Sequence, residues 1–214
     1  MLVYGGNLPA GSLGLSSDIG VPVIAIPAAA VLAAAVALLP VSSPGAAPVS
    51  KEEGLAAFET VRAVLQHPRC QNCHIPGEAP LQFDAGLPHA MNVMRGPDGK
   101  GAPGLPCAAC HGVANPPPSY GPHVPPGAPT WHLPPPERKM VFIGLPSGEL
   151  CRRLKDEKQN GGKNLDALVH HMAEDKLVLW GWSPGPGRAP VSVPHDELVA
   201  KLKQWIAAGT PCAP

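Results

Sequence analysis

Apolar residues recur at helical spacing in four segments of the chain. Ser50 and Glu53 form a capping box, and Leu55, Phe58, Val61 and Leu65 follow three or four apart, which predicts a helix over 51–66. Ser147 is placed to cap a second, over 148–158, with Leu150, Cys151 and Leu154 on one side and a stop near Asn160, Gly161 and Gly162. A third spans 164–174, with Leu165, Leu168 and Met172 on one face and His171 at its edge. The fourth runs from His195 to Ala208 on a stripe of Leu198, Leu202 and Trp205, with Gly209 closing its end. Between residues 75 and 146 there are 17 prolines, and no apolar period survives that density. The expected fold class is therefore mostly α with extensive irregular loops, the long proline-rich stretch being wrapped around something.

Residues 1–47 read differently from 48–214. Val21 to Leu39 is uncharged and apolar and is followed by small residues through Ala47, which fits a signal peptide with its cleavage site. Nineteen residues at about 1.5 Å rise could also serve as an uncleaved N-terminal anchor in the inner membrane. Prolines 22 and 27 and the alanine-rich composition favour cleavage, whereas the absence of Lys or Arg before Lys51 departs from the usual basic leader. Either way residues 48–214 form the functional domain, outside the cytoplasm.

Composition changes the picture further. Of 214 residues 30 are proline and 24 glycine, and from residue 48 onward Leu, Ile, Val and Phe number only 33 of 167, too few to close a core easily. Some other apolar mass is needed. The net charge is zero, so neither nucleic acid nor an anionic membrane surface is an expected partner.

The candidate chemistry lies in two pentapeptides, Cys70–Gln–Asn–Cys73–His74 and Cys107–Ala–Ala–Cys110–His111. Each is the c-type haem attachment pattern: two thiols one short turn apart reach the two vinyl groups of one porphyrin, and the adjacent imidazole becomes the proximal ligand. Zinc knuckles or a framework of three disulfides would explain the cysteine pairs but not a histidine directly after both. Two covalent haems would also supply the missing apolar mass. The motifs recur 37 residues apart, and a second Pro-His, at His89 and His123, hints that the repeat extends in degenerate form beyond them. Cys151 and Cys212 stand outside any pair, and a disulfide between them is their expected fate in an oxidising compartment.

What two haems would do depends on the distal ligand of each iron: a closed site transfers electrons, an open one binds and activates small molecules. His89 and His132 rank first, lying 15 residues after His74 and 21 after His111 between prolines that would fix the loop. His171 comes next, beside its apolar stripe. His67 stands too near Cys70 to serve its own haem, His123 is an alternative by the repeat, and His170 and His195 read as solvated. Met94 and Met172 are possible thioether ligands.

The two motifs, together with HPRCQNCH, PHAMNVMRGPDG, the pair Trp131–His132, HMAEDKLVLWGW at 171–182 and the terminal cysteine, resemble a group of exported proteobacterial dihaem c-type cytochromes often labelled isoquinoline 1-oxidoreductase subunit. The resemblance covers about residues 50–214. It implies a small dihaem fold, periplasmic electron transfer, and counterparts of His67, His89, His132 and His171 in similar proteins. It further implies a donor dehydrogenase, a molybdenum hydroxylase by the label, and a respiratory acceptor as redox partners. No molybdopterin or iron–sulfur pattern is present, so the chain is not itself the hydroxylating subunit. The competing expectation is a dihaem peroxidase-like enzyme with one open iron. Arg95, beside the turn Pro97–Asp98–Gly99, is a candidate partner for a haem propionate. Trp180 and Trp182 read as packing in a Gly/Pro-rich turn, with haem stacking as the alternative.

Overall fold

Ser50 Oγ accepts the backbone N–H of Glu53 at 3.2 Å while the Glu53 carboxylate accepts the Ser50 N–H at 2.8 Å. This reciprocal cap starts α1, Lys51–Leu65, in a computed structural model that describes Gly20 and residues 47–214. The candidate leader, residues 1–47, lies almost entirely outside the described residues. Among those described, no helix is long and apolar enough to cross a membrane.

The other helices are α2 (Pro68–Gln71), α3 (Ser147–Lys155), α4 (Leu165–Glu174), α5 (Lys176–Leu179) and α6 (His195–Ala207). Ser147 does not cap α3. Pro146 occupies that position, and the Ser147 hydroxyl donates instead to Glu59 of α1. The helix stops at Lys155 rather than 158 because the Asn160 amide takes the Leu154 carbonyl at 2.8 Å and the Lys163 carbonyl at 2.7 Å, folding the chain back. Asn164 caps α4 through the Ala167 N–H.

The core forms where α1 crosses α6 and α3 and α4 close the sides: Phe58, Val61, Leu65, Leu150, Leu168 and Trp205 all lie within it. Phe58 and Trp205 meet with ring centroids 5.2 Å apart, and the buried indole donates to the Pro211 carbonyl at 3.0 Å. Gly54 lets the two helices approach, since a Cβ there would collide with the Ala208 Cβ. A Cys151–Cys212 disulfide ties α3 to the C-terminal tail.

The proline-rich stretch is ordered loop with two minimal ladders. Strand β1 (Leu81–Gln82) pairs antiparallel with β2 (Leu87–Pro88), and β3 (Gly101–Ala102) with β4 (Leu105–Pro106). The first ladder follows its motif and the second precedes its own, so the weak sequence repeat does not become a structural one. Prolines lack a donor, so side chains satisfy many of the loop carbonyls. Arg95 serves three of them. It is completely buried and donates to the carbonyls of Ile75 (3.2 Å), Gly77 (2.9 Å) and Pro134, with Nε 3.5 Å from Glu78. Arg188 similarly reaches the carbonyls of Val124, Pro184 and Pro186.

Candidate functional site

Two clefts open between the helical body and the wrapped loops, of about 310 Å³ and 260 Å³. The first contains Cys70, Cys73 and His74, and the second contains Cys107, Cys110 and His111. Each pentapeptide thus has its own cavity, and the cavities adjoin: Arg69, Cys73, Trp131 and Trp180 line both.

The first motif sits on α2 and the turn after it. His67 starts that helix by accepting the Arg69 N–H on Nδ1 at 3.2 Å, and Pro68 is preorganised for the first helical position. The ring is a cap there, which gives His67 a structural role. The His74 N–H closes back on the Cys70 carbonyl at 3.2 Å, and the His111 N–H on the Cys107 carbonyl at 2.9 Å, so both motifs share one backbone turn.

The two motif histidines also share an outer environment. His74 Nδ1 lies 2.8 Å from the Met140 carbonyl, and His111 Nδ1 lies 2.8 Å from the Pro126 carbonyl. A carbonyl oxygen only accepts, so each Nδ1 carries the proton and each Nε2 lone pair is free to bind a metal. An aromatic ring then fixes each imidazole plane. Phe142 stacks on His74 at 3.9 Å and 14°, and Trp131 stacks on His111 at 4.4 Å and 5°. Burial lowers the basicity of both, His74 being pushed down to about 4, which favours the neutral ring that ligation requires. Enclosure likewise pushes the thiols up, Cys70 to about 12 and Cys73 to about 11.

The candidate distal histidines reach these clefts in a crossed arrangement. His89, which follows the first motif, lines the cleft of His111, and His132, which follows the second, lines that of His74. Backbone bonds anchor both segments, the His89 N–H to the Pro80 carbonyl and the Leu133 N–H to the Gly99 carbonyl. His171, on α4, joins His132 in the first cleft, and its Nδ1 lies 3.2 Å from Asp175. His123 lies at the exposed mouth of the second cleft. Met172 lines the first cleft, His170 is exposed, and His195 is half-buried with Nε2 2.9 Å from the Met172 carbonyl, not solvated as its sequence suggests.

The geometry tests whether a haem iron fits. With about 2 Å per metal–nitrogen bond and about 1 Å from nitrogen to ring centre, two imidazoles on opposite sides of one ion have centroids about 6 Å apart. His89 and His111 have centroids 6.1 Å apart. His89 Nδ1 donates to the Ala90 carbonyl at 2.9 Å. Arg69 is buried on the shared wall with an Nε that has no hydrogen-bond partner, a donor suited to an anionic edge of an occupant. Arg95, the candidate for that role from sequence, is committed to backbone carbonyls instead. Cys70, Cys73, Cys107 and Cys110 are free thiols, so the three-disulfide framework is absent. Among the described residues no three His, Cys, Asp or Glu side chains converge on a single ion site. Trp182 packs, donating to the Val193 carbonyl at 2.7 Å, while Trp180 forms part of the wall between the clefts.

No protein-family model matches the chain, and neither a curated protein nor a solved structure shows significant similarity to it.

Proposed function

We propose that the protein is a periplasmic electron carrier with two covalent c-type haems, one in each cleft. The observation that carries this reading is the duplicated environment of His74 and His111: the same turn, the same Nδ1 contact with a carbonyl at 2.8 Å, a stacked aromatic ring, and a second imidazole in the same cleft. Haem iron supplies a one-electron couple, and the protein supplies attachment, orientation and shielding.

In this reading Cys70 and Cys73 fasten one porphyrin and Cys107 and Cys110 the other. His74 and His111 are the proximal ligands, each ring held by its carbonyl so that Nε2 faces the cleft. His89 closes the second site and His171 the first, with His132 the other imidazole of that cleft. Trp131 and Trp180 exclude water from the boundary between the two. The shared wall makes the occupants immediate neighbours, which suits transfer of an electron from one to the other. The Cys151–Cys212 disulfide agrees with an oxidising compartment. The redox partners are a donor dehydrogenase, a molybdenum hydroxylase by the sequence resemblance, and a respiratory acceptor.

A second imidazole in both clefts favours this carrier over a peroxidase-like enzyme with an open iron. Carbon monoxide added to the reduced protein separates them. The carrier binds none, and H89A and H171A each open one of the two sites to it. Binding by the unmodified protein at one haem identifies the enzyme instead.

A further inference from the structure

The imidazole of His171 is held by more than its helix. Asp175 is at once the last cap of α4 and the first cap of α5: its Oδ1 accepts the N–H groups of Leu177 at 2.8 Å and Val178 at 3.4 Å. That commitment leaves Oδ2 for His171 Nδ1, at 3.2 Å across one helical turn. Both side chains line the first cleft, with about a third of each exposed. The neighbouring imidazoles use backbone carbonyls as outer partners: Met140 for His74, Pro126 for His111, Ala90 for His89 and Thr130 for His132. Of these five imidazoles, only His171 faces a carboxylate.

We propose that Asp175 is a positioning residue that fixes His171 as the Nδ1–H tautomer, aims its Nε2 into the first cleft and strengthens that nitrogen as a donor to iron, so that the first haem is held at a lower reduction potential than its imidazole set alone would give. The inference rests on the assignment of the first cleft as a haem site with His171 opposite His74. A carboxylate accepting the outer N–H of a ligating imidazole strengthens that nitrogen as a donor, as in carboxylate–histidine–metal arrangements. A stronger donor stabilises the oxidised iron. The helix junction makes the carboxylate rigid, because its other oxygen is spent on the start of α5.

The test uses the haem-loaded protein and the variants D175N and D175S. Asn and Ser both cap helices, so α5 retains its start while the carboxylate is lost. D166N, an exposed carboxylate removed from the first turn of the same helix, controls for a general change of charge. The readouts are the two reduction potentials from spectroelectrochemical titration and the low-spin electron paramagnetic resonance signals. The expected result is that one of the two potentials rises in D175N and D175S, with a change in one set of g values, while the other haem and D166N are unchanged. Two intact haems with both potentials and both signals unmoved would overturn the role of Asp175 and leave the dihaem reading standing. A protein with no covalent haem in the first cleft would overturn both.

Discussion

His89 follows the first Cys-x-x-Cys-His motif yet faces His111 of the second, their ring centroids 6.1 Å apart. His132, which follows the second motif, lines the cleft of the first. The two sites are therefore interlocked, each partly walled by a segment that the other motif precedes. Loss of one site should accordingly disturb the other: a C107A/C110A protein, which cannot fasten the second porphyrin, is expected to show an altered absorption spectrum at the remaining haem. An unaltered spectrum there would mean that the sites are independent.

Arg95 is the keystone of the loop region, because one buried guanidinium serves three carbonyls on two separate segments, 75–77 and 134. Its removal leaves those carbonyls without donors, and R95L is expected to lose about 3 kcal/mol or more of unfolding free energy in denaturant titration. R95K should recover little, since an ammonium lacks the planar fork. A loss for R95L below about 1 kcal/mol would contradict the assignment.

Gly54 reverses the usual rule for a helix interior. Glycine to alanine in an open helix stabilises by about 1 kcal/mol. Here the new methyl group would collide with the Ala208 Cβ and stand 2.8 Å from the Pro211 Cγ, forcing α1 and α6 apart. G54A is expected to destabilise by about 1–3 kcal/mol, read as a lower thermal midpoint. A raised midpoint would show that the helices have room to spare.

Much of the helical frame is legible in the chain itself, because Ser50 with Glu53, Asn164 and the stripe Leu198–Leu202–Trp205 act locally. The one-turn helices α2 and α5 are not: four residues carry no period, and their starts depend on the side chains of His67 and Asp175. The pairing of Cys151 with Cys212 is equally visible. Which candidate histidine lines which motif's cleft is not, since spacing along a proline-rich loop gives its reach and not its direction. Arg95 escapes sequence reasoning for a related cause, because only tertiary contacts can provide an arginine with three buried carbonyls.

The Cys151–Cys212 bridge closes a separation of 61 residues. Restriction of the unfolded chain by a loop of that length is worth about 4 kcal/mol, so C151A/C212A should unfold at markedly lower denaturant concentration. Equal midpoints for the variant and the parent would remove the bridge as a source of stability.

Acid should weaken the start of α1. The Ser50 backbone N–H, with its hydroxyl, holds the Glu53 carboxyl below its ordinary value. A carboxylate depressed in the folded state stabilises fully above its unfolded value, about 4.3, and loses that contribution as pH falls through the folded one. The thermal midpoint is expected to fall more steeply below about pH 4 in the parent than in E53Q. Parallel curves would show that the capping box carries no pH dependence.

The most direct measurement is the mass of the intact polypeptide, purified under denaturing conditions from cells competent in cytochrome c maturation. The account predicts a mass raised by two porphyrins, with peptides containing Cys70–His74 and Cys107–His111 each carrying one. A colourless chain, or one carrying a single porphyrin, would contradict it.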